Sequence, residues 1–148
     1  MEEILLYFSL KYAGDFDSIL KALECKEKID EKLKKELFKD ITANYTTLIS
    51  PDYPTALKEI ACPPFVLFYY GNLALVKNKC ISVIGKRHPS TYGVECTAAL
   101  AAQLVEAGYT IISGMAMGID TIAHQSTITA NGQTIAVLGS GIDYCYPH

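Results

Sequence analysis

A chain of 148 residues has room for one main hydrophobic core and at most a small appendage. Half of its residues are hydrophobic and 20% are charged, which excludes intrinsic disorder, while a formal charge of −3 excludes a uniformly basic surface of the kind many nucleic-acid binders carry. No apolar run approaches the roughly 18 residues of a membrane span, and the start Met1-Glu2-Glu3 has no basic leader, so the expected location is cytoplasmic.

In chain order, the first apolar residues recur at helical spacing. Ile4, Leu5 and Phe8 precede Gly14, Ile19, Leu20 and Leu23 follow the capping candidate Asp15, and Ile29, Leu33 and Leu37 come next. This predicts two or three short amphipathic helices in a lead-in over residues 1–50. Lys32, Lys34 and Lys35 alternate with acids and read as a solvated face rather than a contact with DNA. Pro51, Pro54 and Pro63-Pro64 then mark a boundary, with a second domain expected over residues 51–148. Phe65 to Tyr70 reads as a short strand stopped by Gly71-Asn72, and as the beginning of the main core.

From Cys80 a rhythm of strand, glycine-rich turn and helix repeats three times. Ile81 to Ile84 leads into Gly85 to Tyr92 and a helix reaching about Ala107. Tyr109 to Ile112 leads into Ser113 to Met117 and a helix reaching about Ala130. Thr134 to Leu138 leads into Gly139-Ser140-Gly141. Such alternation predicts a parallel sheet with right-handed crossovers, and it puts all three turns on the carboxyl edge, where ligands of α/β sheets bind.

The first turn, Gly85-Lys86-Arg87-His88-Pro89-Ser90, opens a helix, so it combines free N–H groups, a partial positive charge and an Arg able to fork onto phosphate oxygens. It lacks both the dinucleotide G-x-G-x-x-G and the Walker A pattern, and an ordinary strand-to-helix turn remains open as a reading. In the second turn, Ser113, Gly114, Ala116 and Gly118 can offer a hydroxyl and amides to a phosphate. Asp120 suits the helix dipole or a bond to a neighbouring loop, and His124 suits a buried hydrogen bond, since no nucleophile pairs with it. The third turn offers Gly139 and Gly141, followed by Tyr144, Tyr146 and Pro147, where a tyrosine stands either to stack on a base or to pack.

Two inventories narrow the chemistry. Five cysteines, Cys25, Cys62, Cys80, Cys96 and Cys145, form no C-x-x-C pair, so buried reduced thiols are expected and neither a disulfide framework nor a metal site. From His88 onward there is no Lys or Arg, so the positive charge of the α/β region is confined to Lys77, Lys79, Lys86 and Arg87.

Together these blocks resemble the DprA/Smf family, the DNA-processing proteins of bacterial natural transformation. The matching residues are Tyr53-Pro54, Leu57, Ile60, Pro63-Pro64, Leu67 and Gly71, then Val83-Ile84-Gly85-Lys86-Arg87 with Ser90, Tyr92 and Gly93. They continue through Ser113-Gly114, Ala116, Gly118-Ile119-Asp120 and Ala123-His124 to Gly132, Thr134 to Gly139, Gly141-Ile142-Asp143 and Tyr146-Pro147. The resemblance implies an α/β, Rossmann-like, mostly parallel sheet with helices on both faces, preceded by a small helix-hairpin-like segment. It implies a non-enzymatic protein without cofactor that binds single-stranded DNA, protects incoming DNA, helps load the RecA recombinase and homodimerises. By position, Arg87 would anchor phosphate and the Ser113 to Gly118 loop would be a backbone-binding platform. Met117 stands where family members often carry a basic residue, and family domains continue past the Tyr-Pro pair, so this chain is expected to be an N-terminal part. A nucleotide-processing enzyme of the lysine-decarboxylase-like Rossmann group is the alternative, but the Pro-Gly-Gly-x-Gly-Thr segment and following Glu of that group are missing.

Overall fold

The structure is a computed structural model, and it describes residues 1–144. The chain divides into two compact units, Met1–Gly71 and a second beginning at Asn72.

The first unit is built around α1 (Glu2–Lys11), which packs with α2 (Phe16–Glu24), α3 (Glu31–Phe38), β1 (Asn44–Thr47) and β2 (Val66–Tyr69). Asp15 caps α2 by accepting the Ser18 amide at 2.9 Å, and Asp30 caps α3 through the amides of Lys32 and Leu33. Leu5, Leu6, Tyr7 and Phe8 are buried in succession, so α1 is enclosed on all sides rather than amphipathic. Ile19, Ala22, Phe65 and Val66 complete this core, and Phe16 stacks on Phe65 with ring centroids 5.1 Å apart. On the surface Lys34 pairs with Glu3 at 2.9 Å and Lys11 pairs with Glu27.

The Phe65–Tyr70 strand finds its partner inside this unit. β2 runs antiparallel to β1, from Asn44↔Tyr69 to Thr47↔Val66. Tyr45-Thr46-Thr47 has strand propensity, but four residues are too few for a period to show, and sequence reasoning left β1 unassigned. Residues 51–71, which include the short helix α4 (Thr55–Lys58), consequently belong to the same compact unit as the helical lead-in.

The second unit holds three parallel strands in the order β3 (Cys80–Ser82), β4 (Thr110–Ser113), β5 (Thr134–Ala136), connected by α5 (Thr91–Glu106) and α6 (Ile119–Thr129). Pairing runs Ile81↔Ile111 and Ile112↔Ile135, and the ladder continues through Val83 N–H to Ile112 O and Val137 N–H to Ser113 O. Two right-handed crossovers that step in the same direction must leave their helices on the same side. The packing agrees: Val83 and Ile111 on one sheet face share a cluster with Leu104 and Val105 of α5 and Ile119 and Ala123 of α6. Of the helices expected on both faces, the described residues supply those of one face. By strand alternation Ile84 and Val137 belong to the other, and they are 75% and 61% exposed.

The cysteines correct an expectation. Cys25, Cys62 and Cys96 are exposed and Cys80 is half-buried, all four free, because they fall at the end of α2, in the proline-rich stretch, on the outer side of α5 and on an edge strand. Cys145 lies outside the described residues.

Candidate functional site

At the carboxyl edge of the sheet, the first turn leaves β3 with Lys86, Arg87 and His88 exposed and enters α5 at Ser90. The Ser90 hydroxyl accepts the Gly93 amide at 3.2 Å, an N-cap that satisfies one of the free donors of the helix start. Lys86, His88, Pro89, Ser90, Gly93 and Ile119 line a depression of about 500 Å³ over that helix start. Neither Lys86 nor Arg87 forms an ion pair among the described residues. Two such cations beside a helix N-terminus make this place attractive to an anion.

The second turn is arranged differently. Ser113 is 2% exposed, and its hydroxyl donates to Val83 O at 2.7 Å. The Gly114 amide donates to the buried carboxylate of Asp120 at 3.1 Å, and the Thr121 hydroxyl donates to Ala116 O at 2.7 Å. The amides of Met115, Ala116, Met117 and Gly118 make no hydrogen bond among the described residues, so these are the donors this turn has left to offer. Met115 holds a left-handed φ of +58°. The other non-glycine residues with positive φ among those described, Ala13, Lys26 and Asn131, each follow a helix end, where that conformation is ordinary.

The first two turns touch. The amide of Ile119, the first residue of α6, donates to Lys86 O at 3.1 Å. At the third turn, a side-chain carbon added at Gly139 or Gly141 would meet nothing within 4 Å among the described residues. Tyr146 and Pro147 lie outside the described residues.

The basic cluster of the sequence is divided by β3. Lys86 and Arg87 follow the strand at the site, whereas Lys77 and Lys79 precede it, at its opposite end. Only half of the available positive charge therefore serves this edge.

His124 is 6% exposed, and its Nδ1 lies 2.7 Å from Thr134 Oγ1. That hydroxyl donates its own proton to Ile111 O, so Nδ1 carries the ring proton and Nε2, buried and without a partner among the described residues, carries the lone pair. Burial pushes the imidazole below its ordinary pKa, with the Asp120 carboxylate pulling the other way. His124 thus ties α6 to β5 beneath the turns. Ile119, which follows directly on Gly118, and Tyr92, 76% exposed in the first turn of α5, also stand at this edge, although sequence reasoning assigned them no binding role.

Residues 44–148 match the family described as DNA recombination-mediator protein A. The chain is 43% identical over 107 residues to Protein Smf of Synechocystis, covering 70% of this chain and 27% of that protein. It is 35% identical over 134 residues to DNA processing protein DprA of Bacillus subtilis, covering 86% and 45%. The solved structure of DNA processing protein A from Streptococcus pneumoniae superposes with a TM-score of 0.69 at 29% identity over 98% of this chain and 56% of that one. A second, of DNA processing protein A from Helicobacter pylori, whose description names a single-stranded DNA binding mode, has a TM-score of 0.61 at 32% identity, covering 72% and 47%. The likeness establishes the Rossmann-like α/β class, and the chain spans less than half the length of these two curated relatives.

Proposed function

The chain belongs to the DNA recombination-mediator protein A family, and from that premise we propose that it binds single-stranded DNA, without catalysis, through the sugar-phosphate backbone. The observation that carries this reading is the pair of cations Lys86 and Arg87, without an ion pair among the described residues, beside the depression at the start of α5. Arg87 forks onto a phosphate, Lys86 adds a second charge, and the α5 N-terminus behind Gly85 and Ser90 receives the negative oxygens. Backbone amides at Ala116 and its neighbours supply further donors, and the turn at Gly139 and Gly141 leaves room for the strand to pass. The single-stranded DNA binding named for the Helicobacter pylori protein supports the choice of ligand. Within the whole protein this binding serves DNA uptake in natural transformation: it protects incoming DNA, helps load RecA recombinase and is shared between the subunits of a homodimer in the cytoplasm.

Fluorescence anisotropy of a labelled oligothymidylate, titrated with the full-length protein over a series of salt concentrations, tests the assignment. Arg87→Ala should weaken binding about tenfold, and losing one phosphate contact should make the log–log salt slope shallower by roughly 0.7. Unchanged affinity and slope would refute the role of Arg87.

A further inference from the structure

The second turn presents the groups by which loops hold phosphate, yet three of them are engaged within the chain. The Ser113 hydroxyl is buried against Val83 O, the Gly114 amide is held by Asp120, and the Ile119 amide is held by Lys86 O. Two glycines bring the turns to this distance. A side-chain carbon on Gly85 would stand 2.7 Å from Ile119 Cγ1. One on Gly118 would stand 2.3 Å from the carbonyl oxygen of Lys86 and 2.5 Å from that of Arg87, and Gly118 also holds φ at +84°, where other residues are strained. What these glycines admit is the neighbouring turn.

The geometry points to a positioning role for Ser113 and Gly118: the second turn braces the first from behind and fixes the backbone from which Lys86 and Arg87 reach for phosphate. It acts on DNA through those two cations rather than by touching the phosphate with Ser113, Gly114 or Gly118. Long cationic side chains lose much conformational freedom on binding, and an immobile root reduces what remains to be ordered. This inference rests on the reading that the site binds single-stranded DNA.

Salt dependence separates a brace from a direct contact. A neutral hydroxyl or amide that touches phosphate releases no counterion, so its loss lowers affinity at every salt concentration and leaves the slope unchanged. A brace that mispositions Lys86 and Arg87 costs cation–phosphate contacts although no charge has been removed. In full-length protein with labelled oligothymidylate, Gly118→Ala should weaken binding about tenfold and make the slope shallower by at least roughly 0.7, as Arg87→Ala does. Ser113→Ala, which deletes one buried hydrogen bond, should move affinity and slope in the same direction by a smaller amount. Weaker binding at unchanged slope in either variant, or unchanged binding in both, would overturn the brace. If Gly118→Ala loses its cooperative unfolding transition, the Ser113→Ala measurement decides by the same criterion. Failure of the unsubstituted protein to bind the oligonucleotide would instead overturn the DNA-binding reading itself, an outcome distinct from any change of slope between variants.

Discussion

The two compact units differ in how polar their interiors are, large apolar side chains weighing more in the first and polar ones more in the second. Up to Gly71 the interior is made of large apolar side chains, Leu6, Tyr7, Phe8 and Ile19 among them, and the charges lie outside, where Lys11–Glu27 and Lys34–Glu3 pair. From Asn72 onward the buried side chains include Thr97, Thr110, Ser113, Asp120, His124 and Thr127, while Ile84, Tyr92 and Val137 are exposed. Residues 1–71 carry nine basic and twelve acidic side chains, a net −3, and the remainder carries four of each. The whole negative balance thus belongs to the N-terminal unit and says nothing about the candidate site. A net charge is a property of solubility, and an anion meets only the charges near it.

The contrast can be broken most severely in the apolar interior. Phe8→Ala removes a ring packed against Tyr7 and Tyr12 and should cost about 3–5 kcal/mol, read from urea unfolding followed by circular dichroism. A loss below about 1 kcal/mol would mean that this core does not stabilise its unit as an apolar interior should. Next comes the polar interior of the second unit. Asp120→Ala leaves the Gly114 amide without its acceptor and should cost about 1–3 kcal/mol, with Asp120→Asn, which retains an oxygen, costing less. Equal losses for the two variants would show that the charge, rather than the hydrogen bond, is what matters there.

The smallest effect sharpens the comparison through pH. His124 has its pKa lowered by burial, so as pH falls the unfolded chain takes up this proton first, near the ordinary value of about 6.5. The stabilisation is complete above that value and is lost progressively as pH falls through it towards the lower folded value. Melting temperature should therefore drop between about pH 7.5 and 5.5, and His124→Asn should flatten that part of the profile. An identical profile in the variant would remove His124 from the explanation.

Much of this arrangement was legible along the chain because it is local. The capping of α2 by Asp15, the strand-turn-helix rhythm from Cys80 and the confinement of positive charge to the segment ending at Arg87 all depend on neighbours within one or two turns. The pairing of β1 with β2 was not legible, since a four-residue strand shows no period and its partner lies some twenty residues away. Nor was the exposure of Cys25, Cys62 and Cys96, because a preference of cysteine for the interior yields to where each happens to fall on its element.

The glycine turns divide the two kinds of information most clearly. Residue order alone determined that Gly85, Gly114 and Gly118 would stand at the carboxyl edge beside Lys86 and Arg87, since the crossover rule places every such turn there. Only the tertiary structure decided what those glycines admit. The absence of a side chain permits a close approach without saying by what, and the adjacency of β3 and β4 brings the Lys86 and Arg87 carbonyls against Gly118, about thirty residues further along the chain. The same strand geometry carries Lys77 and Lys79 to the far end of β3, leaving Lys86 and Arg87 as the cations at the site.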